Sequence, residues 1–325
     1  NSETGLMKRI VLTSLLIASL LGFGVAHAQA FPTKPVKMVV PTGSGGGTDN
    51  VARLVAQKLS EKWGQAVVVE NRPGAEGITG TEVVVRARND GYTLLLVPSG
   101  HTLNPTTRIS LPYDTLKDLS PITMIGQGPF ALAVGSKVPA KDLKELATLA
   151  KAQPGKLSFA SADASSRLAG EMFNTLAGVN IVNVPYKSMG NALTDLAGGH
   201  IEIVYGGMSS VLPLHRAGTI RLLGVSGESR SPLAPEVPTI AEAGWGAYDI
   251  FAWYGLLAPA GTPAAIVAQI QNDVAQITAD PAFKASLLRT GAVPVANTPD
   301  AFGKWMASDI ERSAKVLKAA GVKPE

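Results

Sequence analysis

The sequence contains no cysteine, and aromatic residues make up only 6% of its 325 residues. Without cysteine the chain has neither a disulfide scaffold nor a thiolate for catalysis or metal binding. Charged residues amount to 17% and are scattered, so no basic run indicates nucleic-acid binding despite the formal net charge of +4. After the first thirty residues no apolar run is long enough to cross a membrane.

Motifs of catalysis are also absent. The sequence has four histidines, but neither an HExxH nor a GxSxG pattern, and no carboxylate pair at a spacing typical of acid–base catalysis. His200 and His215 lie in segments typical of surface loops and helix ends. His101 directly follows a predicted strand, where α/β proteins place ligand contacts. We therefore expect no catalytic residue, no metal and no cofactor.

The N-terminus has the three parts of a secretory signal peptide. Met7-Lys8-Arg9 supplies the charge, IVLTSLLIASLLGFGV the apolar core, and AHAQA the small residues for cleavage. Cleavage is expected after Ala28 or Ala30, and residues 1–6, which precede Met7, are interpreted as a cloning remnant. We therefore predict that residues 1–30 are absent from the mature protein, which is exported to the periplasm.

Strand and helix patterns alternate along the rest of the chain, which indicates an α/β fold. Short apolar and β-branched runs predict strands at 36–40, 66–71, 93–99, 157–162, 181–186, 201–207 and 221–227. Apolar residues three to four apart predict helices at 49–62, 77–87, 141–155, 166–177, 263–279, 281–289 and 299–320.

Two longer extended runs, 121–135 and 248–259, are candidates for passages between two domains. We predict that the chain crosses at about 124–134 and returns at about 248–257, with the C-terminal helices rejoining the first domain. The predicted domains are 31–128 together with 250–325, and 129–249.

Residues 41–50, PTGSGGGTDN, are a glycine-rich turn between a predicted strand and a predicted helix. Such turns present backbone N–H groups to an anion. A nucleotide is one alternative, since Glu70 lies about where a dinucleotide fold places its ribose-binding acid. However, Thr48 replaces the third glycine of that motif, and Gly47 is not followed by the lysine of a P-loop. A turn that merely caps the helix is the other alternative.

A second strand, small-residue loop and helix occur at 156–173. If the two loops lie in different domains, two helix N-termini, each with about half a positive charge, face one cleft. Such a cleft binds an anion without a buried lysine. The alternative is that the unit repeats for packing alone, as in many α/β proteins.

Nine stretches follow one another in a specific order and spacing: PTKPVKMVVPTGSGGGTDNVAR, VVVENRPGAEG, DGYTLLLVPSG, LPYD, RLAGE, VPYK, ALTDLAGG, VPTIAEAG and GLLAPAGTP. By these stretches the chain resembles the substrate-binding receptors of tripartite tricarboxylate transporters, the Bug or TctC-type proteins. The resemblance implies an α/β, two-domain periplasmic binding protein, type II-like, whose two crossover strands form a hinge. It implies a receptor, not an enzyme, that captures a small organic acid for a membrane permease. The alternative function is a periplasmic enzyme acting on small organic acids.

The resemblance also implies where the ligand lies. In this family the first glycine-rich loop, here Thr42–Asp49, binds a ligand carboxylate, and a second loop, here Ser161–Arg167, faces it from the other domain. The residues expected at the ligand are Thr42, Gly43, Ser44, Gly46, Gly47, Thr48, Asp49, Ser99, His101, Ser161, Ala162, Asp163, Ser165, Ser166, Arg167, Tyr186, Tyr205, Gly206, Gly207, Phe251 and Trp253.

Departures from the family pattern bear on the ligand's identity. Gly206-Gly207 stands where many members have an aspartate that pairs with a cationic ligand group, which argues against an amino acid. Arg167 is expected to bind a second carboxylate through its forked guanidinium. The alternative is a solvent-facing Arg167 paired with Asp163 or Glu171.

We expect an aromatic or longer-chain dicarboxylate first, a C4–C6 dicarboxylate second and an amino acid third. The expected partners are this small organic acid and a membrane permease, without nucleic acid, and the chain is expected to be a monomer.

Overall fold

The computed structural model describes residues 31–246, 248, 250–319, 323 and 324, so the predicted signal peptide at 1–30 lies outside the described residues. The strands are β1 Val36–Val40, β2 Val67–Asn71, β3 Thr93–Pro98, β4 Leu119–Gly135, β5 Ser158–Ser161, β6 Val182–Pro185, β7 Ile203–Gly207, β8 Ile220–Val225, β9 Phe251–Pro259 and β10 Val293–Pro294. The α-helices are α1 Gly47–Trp63, α2 Ile78–Val85, α3 Gly100–Thr107, α4 Leu143–Ala152, α5 Ala164–Ala177, α6 Met189–Gly198, α7 Met208–Arg216, α8 Ala264–Ala279, α9 Pro281–Arg289 and α10 Pro299–Ala319.

Helix α1 shows how the sequence determines these elements. Val51, Val55 and Leu59 recur at a spacing of four and are fully buried, so one face of the helix joins the core. The helix ends at Gly64, whose φ of 62° is the left-handed conformation that favours glycine after a helix. The α/β class predicted from the sequence is confirmed.

The strands form one curled sheet in the order β2-β1-β3-β9-β4-β7-β5-β6, and β8 and β10 also pair with β4. We call β1, β2, β3, β9 and β10 the first strand group, and β5, β6, β7 and β8 the second strand group. Within the first group, β2, β1 and β3 are parallel. Within the second, β6, β5 and β7 are parallel.

Strand β4 belongs to both groups. Its residues Leu119–Pro129 pair with β9, whereas residues Phe130–Val134 pair with β7. In this second half, Leu132 and Val134 lie in one apolar cluster and the intervening Ala133 lies in another, as expected when successive side chains point to opposite faces.

The chain returns to the first group close to where it left. The buried Ser226 hydroxyl donates to the carbonyl of Ile250 and accepts from the N–H of Phe130, so the end of β8 is bonded to both passages. Helices α8 and α10 then contact β4 of the sheet, and α10 also contacts α3. The passages occur where the sequence predicted them, and the exact domain boundaries stay a prediction.

Candidate functional site

A cavity of about 660 Å³ lies at the carboxyl ends of strands from both groups. Pro41 follows β1, Pro98 ends β3, Ala162 follows β5, Tyr186 follows β6 and Gly207 ends β7, and all five line the cavity. Because α/β folds bind ligands at the carboxyl ends of their strands, this is the candidate ligand site.

Six helices begin at this cavity. Their N-cap residues all line it: Gly46 of α1, Gly77 of α2, Ser99 of α3, Asp163 of α5, Ser188 of α6 and Gly207 of α7. The first N–H groups of a helix have no intrahelical acceptor, and the helix dipole adds about half a positive charge at this end. The cavity wall is therefore rich in donors for an anion.

The six helix starts differ in how their N–H groups are used. The Asp163 carboxylate accepts the Ser166 N–H at 2.8 Å, and the Ser188 hydroxyl accepts the Asn191 N–H at 3.2 Å. No side chain caps the starts of α1, α2, α3 or α7. At α2, however, the N–H groups of Ile78 and Thr79 already donate to carbonyls of the preceding turn. The starts of α1, α3 and α7 therefore have donors available to a ligand.

Charged side chains contribute little to this positive field. Glu76 is paired with Arg108 at 2.9 Å, and Asp163 caps its own helix. Among the described residues that line the cavity, Lys187 is the only lysine or arginine. Anion attraction therefore comes mainly from helix starts and backbone.

Asp49 holds the glycine-rich loop in shape. Its carboxylate is 2% exposed and accepts the Gly45 N–H at 2.9 Å, Arg53 Nε at 3.0 Å and Asn71 Nδ2 at 3.0 Å. Burial by itself raises the pKa of this carboxyl, but these hydrogen bonds outweigh burial and leave the pKa below its ordinary value. The ionised form is thus favoured in the fold, and its stabilisation is lost as the pH falls.

A left-handed turn, Gly74–Gly77, forms another part of the wall. All four φ angles are positive, including 43° at Ala75 and 54° at Glu76, which costs about 1–2 kcal/mol for each non-glycine residue. Asn104 Nδ2 donates a hydrogen bond to the Glu76 carbonyl at 3.3 Å, and the ion pair with Arg108 fixes the Glu76 side chain. Strain of this kind is typical of ligand sites.

Three buried side chains around the cavity carry polar atoms without a hydrogen-bond partner: His101 Nε2, Asn104 Oδ1 and Trp253 Nε1. His101 is 3% exposed and stacks on Tyr113 with ring centroids 6.4 Å apart. Burial lowers the pKa of His101 to about 4. The imidazole is therefore neutral near pH 7 and offers a hydrogen bond rather than a charge.

This burial predicts a pH-dependent stability. As the pH falls from 6.5 towards about 4, the unfolded chain binds a proton that the folded chain does not, so stability is lost on acidification. At about 1.4 kcal/mol per unit, the loss is about 3 kcal/mol. His101→Gln should flatten the urea-unfolding free energy across this interval. An unchanged slope in His101→Gln would contradict the prediction.

Thirteen of the residues expected from the sequence line the cavity: Thr42, Gly43, Ser44, Gly46, Gly47, Thr48, Ser99, His101, Ala162, Asp163, Tyr186, Gly207 and Trp253. Eight do not: Asp49, Ser161, Ser165, Ser166, Arg167, Tyr205, Gly206 and Phe251. The role of each in ligand binding stays a prediction.

The eight have other surroundings. Tyr205 is buried in the core, 5.4 Å from the Phe159 ring, and Ser166 completes the capping box of α5. Ser165 and Phe251 line a smaller cavity of about 30 Å³, which shares Ser99 with the first. The backbone N–H of Arg167 donates to the Asp163 carbonyl within the first turn of α5.

Two segments of the wall were not expected from the sequence. They are the left-handed turn with its preceding proline, 73–77, and residues 187–189 and 191 beyond Tyr186. Each directly follows a predicted strand and contains glycine or serine, which is a usable signal. The first lies within NRPGAEG of the family resemblance, and the second begins at the last residue of VPYK.

The family profile described as tripartite tricarboxylate transporter family receptor matches residues 51–322. The chain belongs to this family. The receptor's fold is similar to the periplasmic binding protein BugD, with a TM-score of 0.87 and 32% identity, covering 91% of this chain and 100% of BugD. The α/β periplasmic-binding-protein class predicted from the sequence is confirmed, and its division into two domains stays a prediction.

Two similar structures contain ligands. Rpa4515 of R. palustris, with adipate, has a TM-score of 0.89 and 34% identity, covering 91% of this chain and 100% of that one. MatC (Rpa3494) from Rhodopseudomonas palustris, with bound malate, has a TM-score of 0.84 and 30% identity, covering 88% and 100%.

Membership of this family establishes the general function of the chain. The family consists of solute-binding receptors, so the chain is a receptor and not an enzyme, and the enzyme alternative is wrong. Such receptors are periplasmic binding proteins that work with a membrane transporter. No helix in the described part of this receptor has the length and apolar character needed to span a membrane.

Proposed function

We propose that this receptor binds a small dicarboxylate in the periplasm, after removal of residues 1–30, and delivers it to its permease as a monomer. The observation that carries the proposal is the convergence of six helix N-termini on one cavity with little formal positive charge. Adipate and malate in two similar receptors support the dicarboxylate class.

The energetics are consistent with this ligand class. Micromolar binding requires about −8 kcal/mol. A helix start contributes roughly 0.3–1 kcal/mol, and a charge-assisted hydrogen bond about 1.5–3 kcal/mol. Three open helix starts, those of α1, α3 and α7, with several N–H donors each can together supply this free energy for a dianion.

The cavity volume bears on ligand size. Cavities of about 300–1,000 Å³ hold drug-sized ligands, and this one has about 660 Å³. An aromatic or longer-chain dicarboxylate is therefore our first expectation, and a C4–C6 dicarboxylate the second. Hinge closure between 31–128 with 250–325 and 129–249 would enclose it.

Calorimetry against aliphatic dicarboxylates of increasing length, aromatic dicarboxylates, matched monocarboxylates and amino acids tests the proposal. We expect a dicarboxylate to bind with a micromolar or lower Kd, and at least tenfold more tightly than the monocarboxylate of equal length. Preference for an amino acid or a monocarboxylate would contradict the dicarboxylate class. Uptake of the identified acid in a deletion strain, restored only when the permease is present, tests delivery.

A further inference from the structure

The loop between β6 and α6 presents a lysine at the cavity on a rigid base. The Tyr186 N–H donates to the Ser161 carbonyl at 2.7 Å, and its hydroxyl donates to Asp195 at 2.8 Å. Ser188, on the other side, caps α6. Both neighbours of Lys187 are therefore anchored in the second strand group.

This loop meets the glycine-rich loop of the first group. A Cβ atom added at Gly43 would lie 3.5 Å from Ser188 Cβ, so the two loops are adjacent beside the cavity. Lys187 therefore lies beside the place where the loop preceding α1 approaches the loop preceding α6.

Lys187 differs from the other charged residues of the wall. Glu76 is paired with Arg108, and the Asp163 carboxylate accepts a backbone N–H of its own helix. Lys187 is exposed, and within the described residues its ammonium has no hydrogen bond or ion pair. Among the described residues, the Lys187 ammonium therefore has no acidic side chain as its ion-pair partner at the cavity.

We propose that Lys187 determines specificity by binding the second carboxylate of the ligand, while the open start of α1 binds the first. The proposal rests on the proposed function and deepens it, since a monocarboxylate would use only one of the two positions. Neither acidic residue of the wall pairs with this ammonium in the described part of the chain. Glu76 pairs with Arg108, and the Asp163 carboxylate accepts hydrogen bonds from Ser166 at the start of α5.

The test compares adipate with hexanoate, which differ by one carboxylate at equal length, on wild type, Lys187→Met and Lys187→Arg. Methionine keeps the length of the side chain and removes its charge. We expect Lys187→Met to weaken adipate about tenfold, a usual size for a charge-assisted bond, and to change hexanoate less than twofold. Lys187→Arg, which keeps the positive charge, should retain most of the wild-type affinity for adipate. Lys156→Met, at an exposed lysine outside the cavity wall, should change neither.

The outcomes separate two failures. Equal losses for both acids, or no loss for adipate, would overturn the role of Lys187 and leave the receptor function intact. If wild type prefers another dicarboxylate, that acid and the monocarboxylate of equal length replace adipate and hexanoate in the test. The expected losses of affinity in Lys187→Met stay the same, about tenfold for the dicarboxylate and less than twofold for the monocarboxylate. If wild type binds no dicarboxylate, the proposed function itself fails, and the Lys187 proposal with it.

Discussion

Gly80→Ala is expected to lower the free energy of unfolding by about 3 kcal/mol, the upper part of the usual range for overpacking. Gly80 lies in α2, and a Cβ atom there would be 2.6 Å from the Arg72 carbonyl oxygen and 2.7 Å from Pro41 Cα. Both are backbone atoms, so neither can move aside as a flexible side chain would. The helix must shift away from β1 and β2.

The same substitution should also weaken ligand binding, because Pro41 and Arg72 precede the glycine-rich loop and the left-handed turn. Urea unfolding and calorimetry measure the two effects. Gly190→Ala is the matched control: it lies in α6 with its nearest contact at 3.8 Å, and alanine is the better helix former. Wild-type stability in Gly80→Ala would show that the packing at this position is looser than described.

Asp49→Ala is expected to weaken ligand binding more than tenfold and to lower the free energy of unfolding by about 2 kcal/mol. The substitution removes the acceptor of the Gly45 N–H and one of the two acceptors of Asn71 Nδ2, which still bonds the Thr42 carbonyl at 3.1 Å. A hydrogen bond to a charged group contributes about 1.5–3 kcal/mol. The Arg53 side chain is 55% exposed, so its ion pair adds little after screening. We expect the effect on ligand affinity to be the larger one, because the glycine-rich loop loses the carboxylate that holds its shape.

Two variants separate loop shape from general stability. Asp49→Asn keeps one acceptor oxygen and should lie between wild type and Asp49→Ala in both measurements. Asp273→Ala removes a carboxylate that accepts Trp63 Nε1 at 2.8 Å, at the far end of α1. It should lower stability while leaving affinity unchanged. Equal affinity losses in Asp49→Ala and Asp273→Ala would refute the specific role of Asp49.

The sequence was informative about the first loop and less so about the rest of the site. The glycine-rich turn at 41–50 predicted a helix start at an anion site, and α1 begins there. Helix α3 was not predicted, because Gly100 stands at its first position and Pro105 within it, and both residues usually disfavour helices. Tertiary contacts stabilise it instead, including the 2.6 Å hydrogen bond from Thr102 to Asp309 of α10.

The sequence also did not predict which side chains point towards the cavity. Tyr205 sits on β7, next to Gly206 and Gly207, yet strand alternation directs it into the core beside Phe159. Lys187 was not singled out, because an exposed lysine has no local signal that distinguishes it from a solubilising charge. Its significance depends on which residues the fold brings around the same cavity.

The central position of β9 has a consequence for the order of folding. This strand lies between β3 and β4, so residues more than 150 positions apart in the chain are hydrogen-bonded neighbours. As the chain emerges from its N-terminus, β5–β8 become available together and need only β4 to pair, whereas β3 can pair with β1 but its other edge waits for β9 in the last quarter of the chain. Since long-range contacts slow folding, we expect the edge of β3 that faces β9 to be the last sheet edge of the N-terminal segment to be covered.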